Sequence, residues 1–142
     1  MAFMYYEGTK DYIAATPALI TTFKASGSIN AGRIVVFDTG DNSSNVYQPP
    51  AASTASGSLA AVGLAIKTVS DGDDVPVIVW GFAKNIACRV AGNPGDPMVI
   101  TGAGYVVPSG SIAIGTAYPR NVIGKWVSGS STSCMAFIDC MK

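Results

Sequence analysis

The chain of 142 residues contains no histidine and a single glutamate, Glu7. Histidine is the usual general base, the usual metal ligand and the usual partner of a nucleophilic serine or cysteine. Without it, the chain lacks the usual residue for general base catalysis, metal binding and activation of a nucleophile. Hydrolysis by paired carboxylates would have to rely on aspartates. The sequence therefore predicts a protein that is not an enzyme and that holds neither a metal ion nor a cofactor.

Charge is also scarce. Charged residues make up 13% of the chain, about half the share usual in soluble domains. Nine acidic and nine basic residues cancel, so the basic surface of a nucleic-acid binder and the polybasic signal of a membrane-bound protein are both missing. We expect neither nucleic acid nor membrane among the partners. A sparsely charged surface suits a protein that covers much of itself with other chains.

Long apolar runs and paired cysteines are missing too. No stretch approaches the roughly 20 apolar residues of a membrane span, and the first residues lack the basic and apolar parts of a secretory signal. Of the three cysteines, Cys88, Cys134 and Cys140, the last two would stand about 20 Å apart on one extended strand, too far for a disulfide. We expect free, buried thiols and synthesis in a reducing cytoplasm.

What the chain does contain is β-strand sequence. Valine, isoleucine, threonine and glycine are abundant, and residues 61–83 show two apolar stretches joined by Asp71-Gly72-Asp73-Asp74, a strong hairpin signal. Further short strands are predicted where apolar stretches lie between turn residues, at 33–37, 46–47, 85–90, 97–101, 121–127 and 134–141. Many short antiparallel strands with regular turns predict an all-β barrel or sandwich.

The chain divides into an N-terminal arm and linker, residues 1–28, and a single β domain, residues 29–142. The arm opens with large apolar and aromatic residues that are costly to leave in water: Phe3, Met4, Tyr5 and Tyr6. These residues either fold back on the core or dock on another chain, and a polar linker with Tyr12 follows them. Over residues 18–24 a short helix competes with a strand, and the β-branched residues favour a strand or an extended chain.

The β domain shows signs of an internal duplication, of residues 29–90 and residues 91–142. Three pairs of residues recur at an offset of about 60 positions: Gly32 and Gly95, Gly63 and Gly124, Val77 and Met135. Each half then reads as a glycine turn before a strand, a loop, and a hairpin.

The last predicted strand, residues 134–141, has two distinct faces because side chains alternate across a strand. One face carries small residues and thiols that suit a packed core: Cys134, Ala136, Ile138 and Cys140. The other face carries Met135, Phe137, Asp139 and Met141. Water would otherwise reach Phe137 and Met141, so we expect a subunit or edge contact there and a homo-oligomer.

Two candidate binding sites have simpler explanations. The aspartates of the turn at 71–74 could hold a hard cation, but they lack the spacing and the downstream glutamate of a calcium loop, which favours a solvated turn. Trp80, Trp126 and the tyrosines could line a sugar-binding groove, although isolated aromatic residues on strands are more often core residues. An enzyme built on aspartates would need at least two of them to converge in one pocket.

Several stretches, taken in order, carry a resemblance to a known family. They are EGTKDYIA at 7–14, INAGRIVV at 29–36, AVGLA at 61–65, DGDDVPV at 71–77, GDPMV at 95–99 and VIG at 122–124. Together they span most of residues 7–142, and the chain resembles the small capsid decoration, or cement, proteins of bacteriophages. It departs from that pattern at residues 17–28 and 42–58.

The resemblance implies a β-barrel or β-tulip-like body with an extended N-terminal arm, in a homo-oligomer that is often a trimer. Such a protein is made in the host cytoplasm and lies on the outer surface of the virion, where it clamps neighbouring copies of the major capsid protein. The expected capsid or subunit contacts are Phe3, Met4, Tyr5, Tyr6, Tyr12, Phe137 and Met141. The alternative is a carbohydrate- or surface-binding module of a fibre or a cell-surface protein.

Overall fold

A computed structural model describes residues 18–37, 45–47, 61–108 and 122–140. These residues form nine β-strands and one short 3-10 turn, which confirms the predicted all-β class. The strands are β1 (Leu19–Lys24), β2 (Ile34–Phe37), β3 (Val46–Tyr47), β4 (Ala61–Ala65), β5 (Asp74–Ala87), β6 (Pro97–Ile100), β7 (Val106–Pro108), β8 (Gly124–Gly129) and β9 (Ser133–Asp139). The 3-10 turn, Gly102–Gly104, lies between β6 and β7.

The strands pair antiparallel in one sheet, in the order β3-β2-β4-β5-β9-β8-β6-β7, with β1 added to β5 outside this path. A parallel bridge joins Cys88, which directly follows β5, to Val106 in β7. Because β7 is the last strand in the order, this bridge places one edge of the sheet next to the end of β5. The sheet therefore curls into a half-barrel, the form in which the predicted barrel-like body is found.

Strand β5 organises the sheet. Its first half pairs with β1 and β4, and its second half pairs with β9. The sequence predicted two separate strands here, at 75–80 and 85–90, but the structure has one strand of 14 residues. Gly81, with φ of 128°, and Asn85, with φ of 58°, bend the strand without ending it, and the register with β9 shifts between Ala83 and Ile86.

Two apolar clusters cover the two faces of the sheet. The larger cluster, around the buried Trp126, takes residues from β2 and from β4 to β9, so the curled sheet encloses it. The smaller cluster takes residues from β2 to β5, with two residues of β1 packed against it. Val77 of β5 belongs to the smaller cluster and Ile78 to the larger. The apolar run in the first half of β5 is unbroken because this part of the strand is buried on both faces.

The β sheet begins earlier than the boundary drawn at residue 29. Leu19–Lys24 pairs with β5, and Ala18 and Ala25 on either side of it are buried, so the described part of residues 1–28 belongs to the sheet. The strand favoured for this segment is confirmed. Strand β7 was not predicted, because three residues are too few to show alternation. Within the part of the chain that the structure describes, no helix is long and apolar enough to cross a membrane.

Candidate functional site

Three aromatic side chains meet on the outer surface of the half-barrel. Phe137 in β9 lies directly opposite Phe82 in β5, and their rings meet edge to face with centroids 5.0 Å apart. Trp80, two residues before Phe82, approaches Phe137 in the same way at 5.1 Å. All three side chains are half-buried. We call Trp80, Phe82 and Phe137 the outer aromatic face.

An open depression of about 340 Å³ adjoins the outer aromatic face. It is lined by Val122, Gly124, Lys125, Phe137 and Asp139. Strand pairing builds it, because Lys125 of β8 stands opposite Phe137 of β9 and Asp139 follows two residues later on the same side of the strand. An apolar floor between a cation and a carboxylate has the character of a protein-contact surface, with apolar groups at its centre and charges at its rim.

The two predicted faces of the last strand are confirmed. Cys134, Ala136 and Ile138 are buried in the enclosed core, whereas Met135, Phe137 and Asp139 alternate with them and are half-buried. The predicted subunit contact at Phe137 thus has an accessible position, and the contact itself stays a prediction. The remaining predicted contact residues, Phe3, Met4, Tyr5, Tyr6, Tyr12 and Met141, lie outside the described residues.

The aspartates of the turn between β4 and β5 form hydrogen bonds and an ion pair with other residues of the chain. Asp71 Oδ1 accepts a hydrogen bond from the Gly27 N–H at 2.7 Å, and Asp73 Oδ2 accepts one from the Ser70 N–H at 3.2 Å. Asp74 forms an ion pair with Lys24 at 2.7 Å, and the hydrogen bond and charge of Asp74 raise the pKa of the Lys24 ammonium. These carboxylates fix the turn and tie β1 to it. The structure thus has a turn at the position that the sequence predicts.

Other described carboxylates stand far from this turn in the chain. Asp96 accepts the Asn93 N–H at 2.8 Å in the turn before β6, and Asp139 lies in β9. In the described ranges, no three His, Cys, Asp or Glu residues come together as they would around a metal ion. Of the five described aspartates, three share the turn at 71–74, and Asp96 and Asp139 lie in other elements.

The cysteines are free thiols, as predicted, with Cys88 and Cys134 buried and Cys140 half-buried. Burial raises the pKa of Cys88 and, much more strongly, that of Cys134, because the thiolate would lose its solvation. Cys88 Sγ also donates to the Ser130 carbonyl oxygen at 3.2 Å. Thiols with raised pKa values are weak nucleophiles at neutral pH, so these residues serve packing.

The sequence did not reveal that Trp80, Phe82 and Phe137 form one cluster. Trp80 and Phe82 follow each other in the chain, but Phe137 joins them only through the register between β5 and β9. An aromatic residue on the non-core face of β9 was the signal that the sequence offered. Trp126, the other tryptophan considered for a sugar-binding groove, is a core residue with 1% of its surface exposed.

No protein-family model matches the chain, and no curated protein sequence matches it. Among solved structures, the chain is similar to the N base of head fiber gp8.5 of bacteriophage phi29. The similarity covers 87% of this chain and 96% of that chain, with a TM-score of 0.58 and 20% sequence identity. At this level of identity the comparison shows a shared fold.

Proposed function

We propose that this protein is a structural component of a phage virion that lies on the outside of the head and clamps neighbouring major capsid subunits. The observation that carries the proposal is the shared fold with the base of a phage head fiber, which extends over 96% of that base. By its description that base belongs to a fiber of a phage head, and a decoration protein would also be a part of the head. The motif order that resembles phage decoration proteins supports the same assignment.

The surface chemistry of the chain fits this task. A clamp needs buried contact area and a symmetric assembly, and it needs no reactive group. The outer aromatic face and the adjoining depression offer accessible apolar area between Lys125 and Asp139. We propose a homo-oligomer, with a trimer favoured, in which this face and the N-terminal arm supply contacts. Free thiols are consistent with synthesis in the cytoplasm of the host.

Native mass measurement and co-sedimentation with empty phage heads that lack this protein test the proposal. We expect a trimer in solution and saturable binding to the heads. Deletion of residues 1–12 should leave a folded protein that no longer occupies the heads, because the arm carries large apolar residues suited to docking. A monomer that does not sediment with heads would contradict the proposed function, and undiminished binding of the deleted protein would exclude the arm as a contact.

A carbohydrate-binding module is the second candidate, since Trp80 and two phenylalanines do cluster beside a depression. Their rings meet edge to face, with interplanar angles of 86° and 76°. Each edge-to-face contact covers one face of one ring, so fewer ring faces are left for a sugar to stack on. A glycan array decides between the two functions, because a clamp binds no glycan on it.

A further inference from the structure

Two arginines and one tyrosine from three distant parts of the chain meet beside the rim of the half-barrel. Arg33 directly precedes β2, Arg89 follows β5, and Tyr105 directly precedes β7. The Cζ atom of Arg33 lies 3.9 Å from the centroid of the Tyr105 ring, and the Cζ atom of Arg89 lies 4.5 Å from it. The two guanidinium groups are therefore separated by no more than the sum of these distances, with the ring as their common partner.

Two of the three side chains are held in place. Arg33 Nη1 donates to the Ala103 carbonyl oxygen and Nη2 donates to Tyr105 Oη, both at 2.8 Å. Ala103 has a left-handed backbone, with φ of 63°, and the Tyr105 carbonyl oxygen accepts the Thr101 N–H at 2.8 Å. The loop before β7 is thus shaped around the Arg33 guanidinium. Preorganised donors lose little entropy when a ligand binds to them.

Arg89 differs from Arg33 in being exposed to solvent. Its backbone N–H donates to the Val106 carbonyl oxygen at 3.3 Å, which fixes the position of its Cα beside β7. Within the part of the chain that the structure describes, its guanidinium group contacts the Tyr105 ring and has no hydrogen-bonding partner. No described residue therefore uses the side-chain hydrogen-bond donors of Arg89, which is exposed to solvent.

Neither arginine has a carboxylate of a described residue within 4.0 Å. Two guanidinium groups that share one ring are each attracted by its face and repelled by each other. An anion beside the ring would turn this repulsion into two attractions. Four of the five described aspartates already accept hydrogen bonds or pair with a lysine inside the chain: Asp71, Asp73, Asp74 and Asp96. The described chain thus has few carboxylates of its own to offer.

We propose that Arg33, Tyr105 and Arg89 form a binding site for a carboxylate side chain of another protein on the surface of the phage head. This inference rests on the proposed function. The planar fork of arginine matches a carboxylate through two parallel hydrogen bonds. A protein carboxylate is favoured over nucleic acid because nine acidic residues balance the nine basic ones, whereas a surface that gathers backbone phosphates needs an excess of positive charge.

A test of the site alone uses an acetylated, amidated tetraglutamate peptide and follows the Nε–H signals of the arginines by NMR. The signals of Arg33 and Arg89 should shift with the glutamate peptide and stay in place with a tetraglutamine peptide of the same length. The Arg89→Gln variant should lose the shift at Arg33. Signals that do not move at millimolar glutamate peptide would overturn the site. This arm needs no phage head, so its result is independent of the proposed function.

Co-sedimentation with empty heads tests the partner. Arg89→Gln should weaken head binding about tenfold, the loss typical of one charge-assisted hydrogen-bond pair, and should reduce its dependence on salt. The matched control is Lys84→Gln, which removes one exposed positive charge from β5 and should change nothing. Arg89→Lys keeps the charge without the fork and should give an intermediate affinity.

The outcomes separate the two proposals. If the natural chain does not bind heads, the proposed function fails. A shift of the arginine signals with the glutamate peptide would then still show a carboxylate site, but its partner would not be a protein of the head. If the natural chain binds heads and Arg89→Gln binds as well as Lys84→Gln, the inference is overturned. If Arg89→Gln breaks the oligomer in native mass measurement, the carboxylate comes from a second copy of this chain, which also overturns the inference.

Discussion

At the scale of single residues, two glycines are constrained by how closely strands approach each other. A Cβ atom on Gly63 in β4 would overlap with the carbonyl oxygen of Ile78, and one on Gly124 in β8 would overlap with that of Phe137. In both cases the obstacle is the backbone of the strand that forms the hairpin with it. Backbone in a hydrogen-bonded ladder cannot move aside as a flexible side chain can. Both positions therefore require glycine for space.

We predict that Gly124→Ala lowers the free energy of unfolding by about 1–3 kcal/mol, the usual cost of forcing extra volume into a packed site. Gly63→Ala should cost a similar amount because its surroundings are equivalent. Urea denaturation followed by tryptophan fluorescence measures both. Ser128→Ala, an exposed change on the same strand as Gly124, is the control and should stay within about 0.5 kcal/mol. A Gly124→Ala protein as stable as this control would contradict the close approach of β8 to β9.

At the scale of elements, the pairing of β5 with β9 brings two thiols into the same part of the core. Cys134 of β9 pairs with Ile86 of β5. The N–H of Cys88, two residues after Ile86, donates to the Thr132 carbonyl oxygen at 3.3 Å. Each thiol affects the pKa of the other, and burial is the larger cause of the raised pKa at both. The ordinary pKa for these thiols is 9.0, so the folded protein keeps its protons where the unfolded chain loses them.

The raised thiol pKa values fix the direction of a pH effect. Above pH 9 the unfolded chain releases thiol protons that the folded protein retains, so unfolding becomes more favourable as pH rises, and below pH 9 the effect vanishes. We predict that the free energy of unfolding falls as the pH rises above 9.0, and that it falls less in Cys134→Ala. Urea titrations at several pH values measure both slopes. Equal slopes in the two proteins would show that Cys134 titrates alike in both states.

The same buried thiols should be protected from alkylation. Iodoacetamide reacts with thiolates, so at pH 8 we predict slow modification of Cys88 and Cys134 in the folded protein and fast modification in urea. Mass spectrometry of peptides locates the modified residues. The half-buried Cys140 provides an internal comparison within the same sample. Equal modification of Cys134 with and without urea would contradict its burial.

The sequence predicted strands better than it predicted their partners. The alternation of side chains along β9 was enough to assign Cys134 and Ile138 to the core face and Phe137 to the opposite face, since one side of that strand is buried. Gly81 and Asn85 predict a break in the strand, whereas β5 only bends there, because a bulge and a strand end use the same residues. The outer aromatic face and the site at Arg33, Arg89 and Tyr105 could not be predicted. Both depend on register and curling, which local patterns do not determine.

At the scale of the whole molecule, the strand order is symmetric about the contact between β5 and β9. On one side the order is β5-β4-β2-β3, and on the other it is β9-β8-β6-β7. Equivalent residues pair in both halves. Val35 pairs with Gly63 in the first half as Met98 pairs with Gly124 in the second. In the two hairpins, Leu64 pairs with Ile78 as Lys125 pairs with Phe137. The turn glycines before β2 and β6, Gly32 and Gly95, have φ values of 84° and 89°.

We propose that this symmetry reflects the internal duplication of residues 29–90 and 91–142. The repeated unit is a strand, a loop and a hairpin, and two such units joined through their hairpins make one curled sheet. Neither unit encloses the larger core alone, since Ile34 and Leu64 come from one half and Trp126 and Ile138 from the other. The duplicated halves therefore form a single folding unit, and a fragment with one half should remain unfolded in circular dichroism.

The outer aromatic face lies across the seam between the two halves, because Trp80 and Phe82 belong to β5 and Phe137 belongs to β9. An apolar surface at the seam is suited to hold an oligomer or a capsid subunit. We predict that Phe137→Ala weakens trimer formation or head binding about tenfold or more, as loss of an aromatic anchor does at interfaces. Native mass measurement and co-sedimentation with empty heads quantify the two contacts separately.

The matched control for this prediction is Phe37→Ala. Phe37 in β2 is 41% exposed and also meets another ring edge to face, that of Phe23, at 6.0 Å. Both variants remove a phenylalanine from a partly exposed group of aromatic rings, so a difference in binding between them reports on the location of the ring. Urea denaturation should find both variants folded, with Phe137→Ala losing more stability because its ring has two partners. If the two variants assemble and bind heads equally, the seam surface is not the contact, and the arm or the arginine site must supply it.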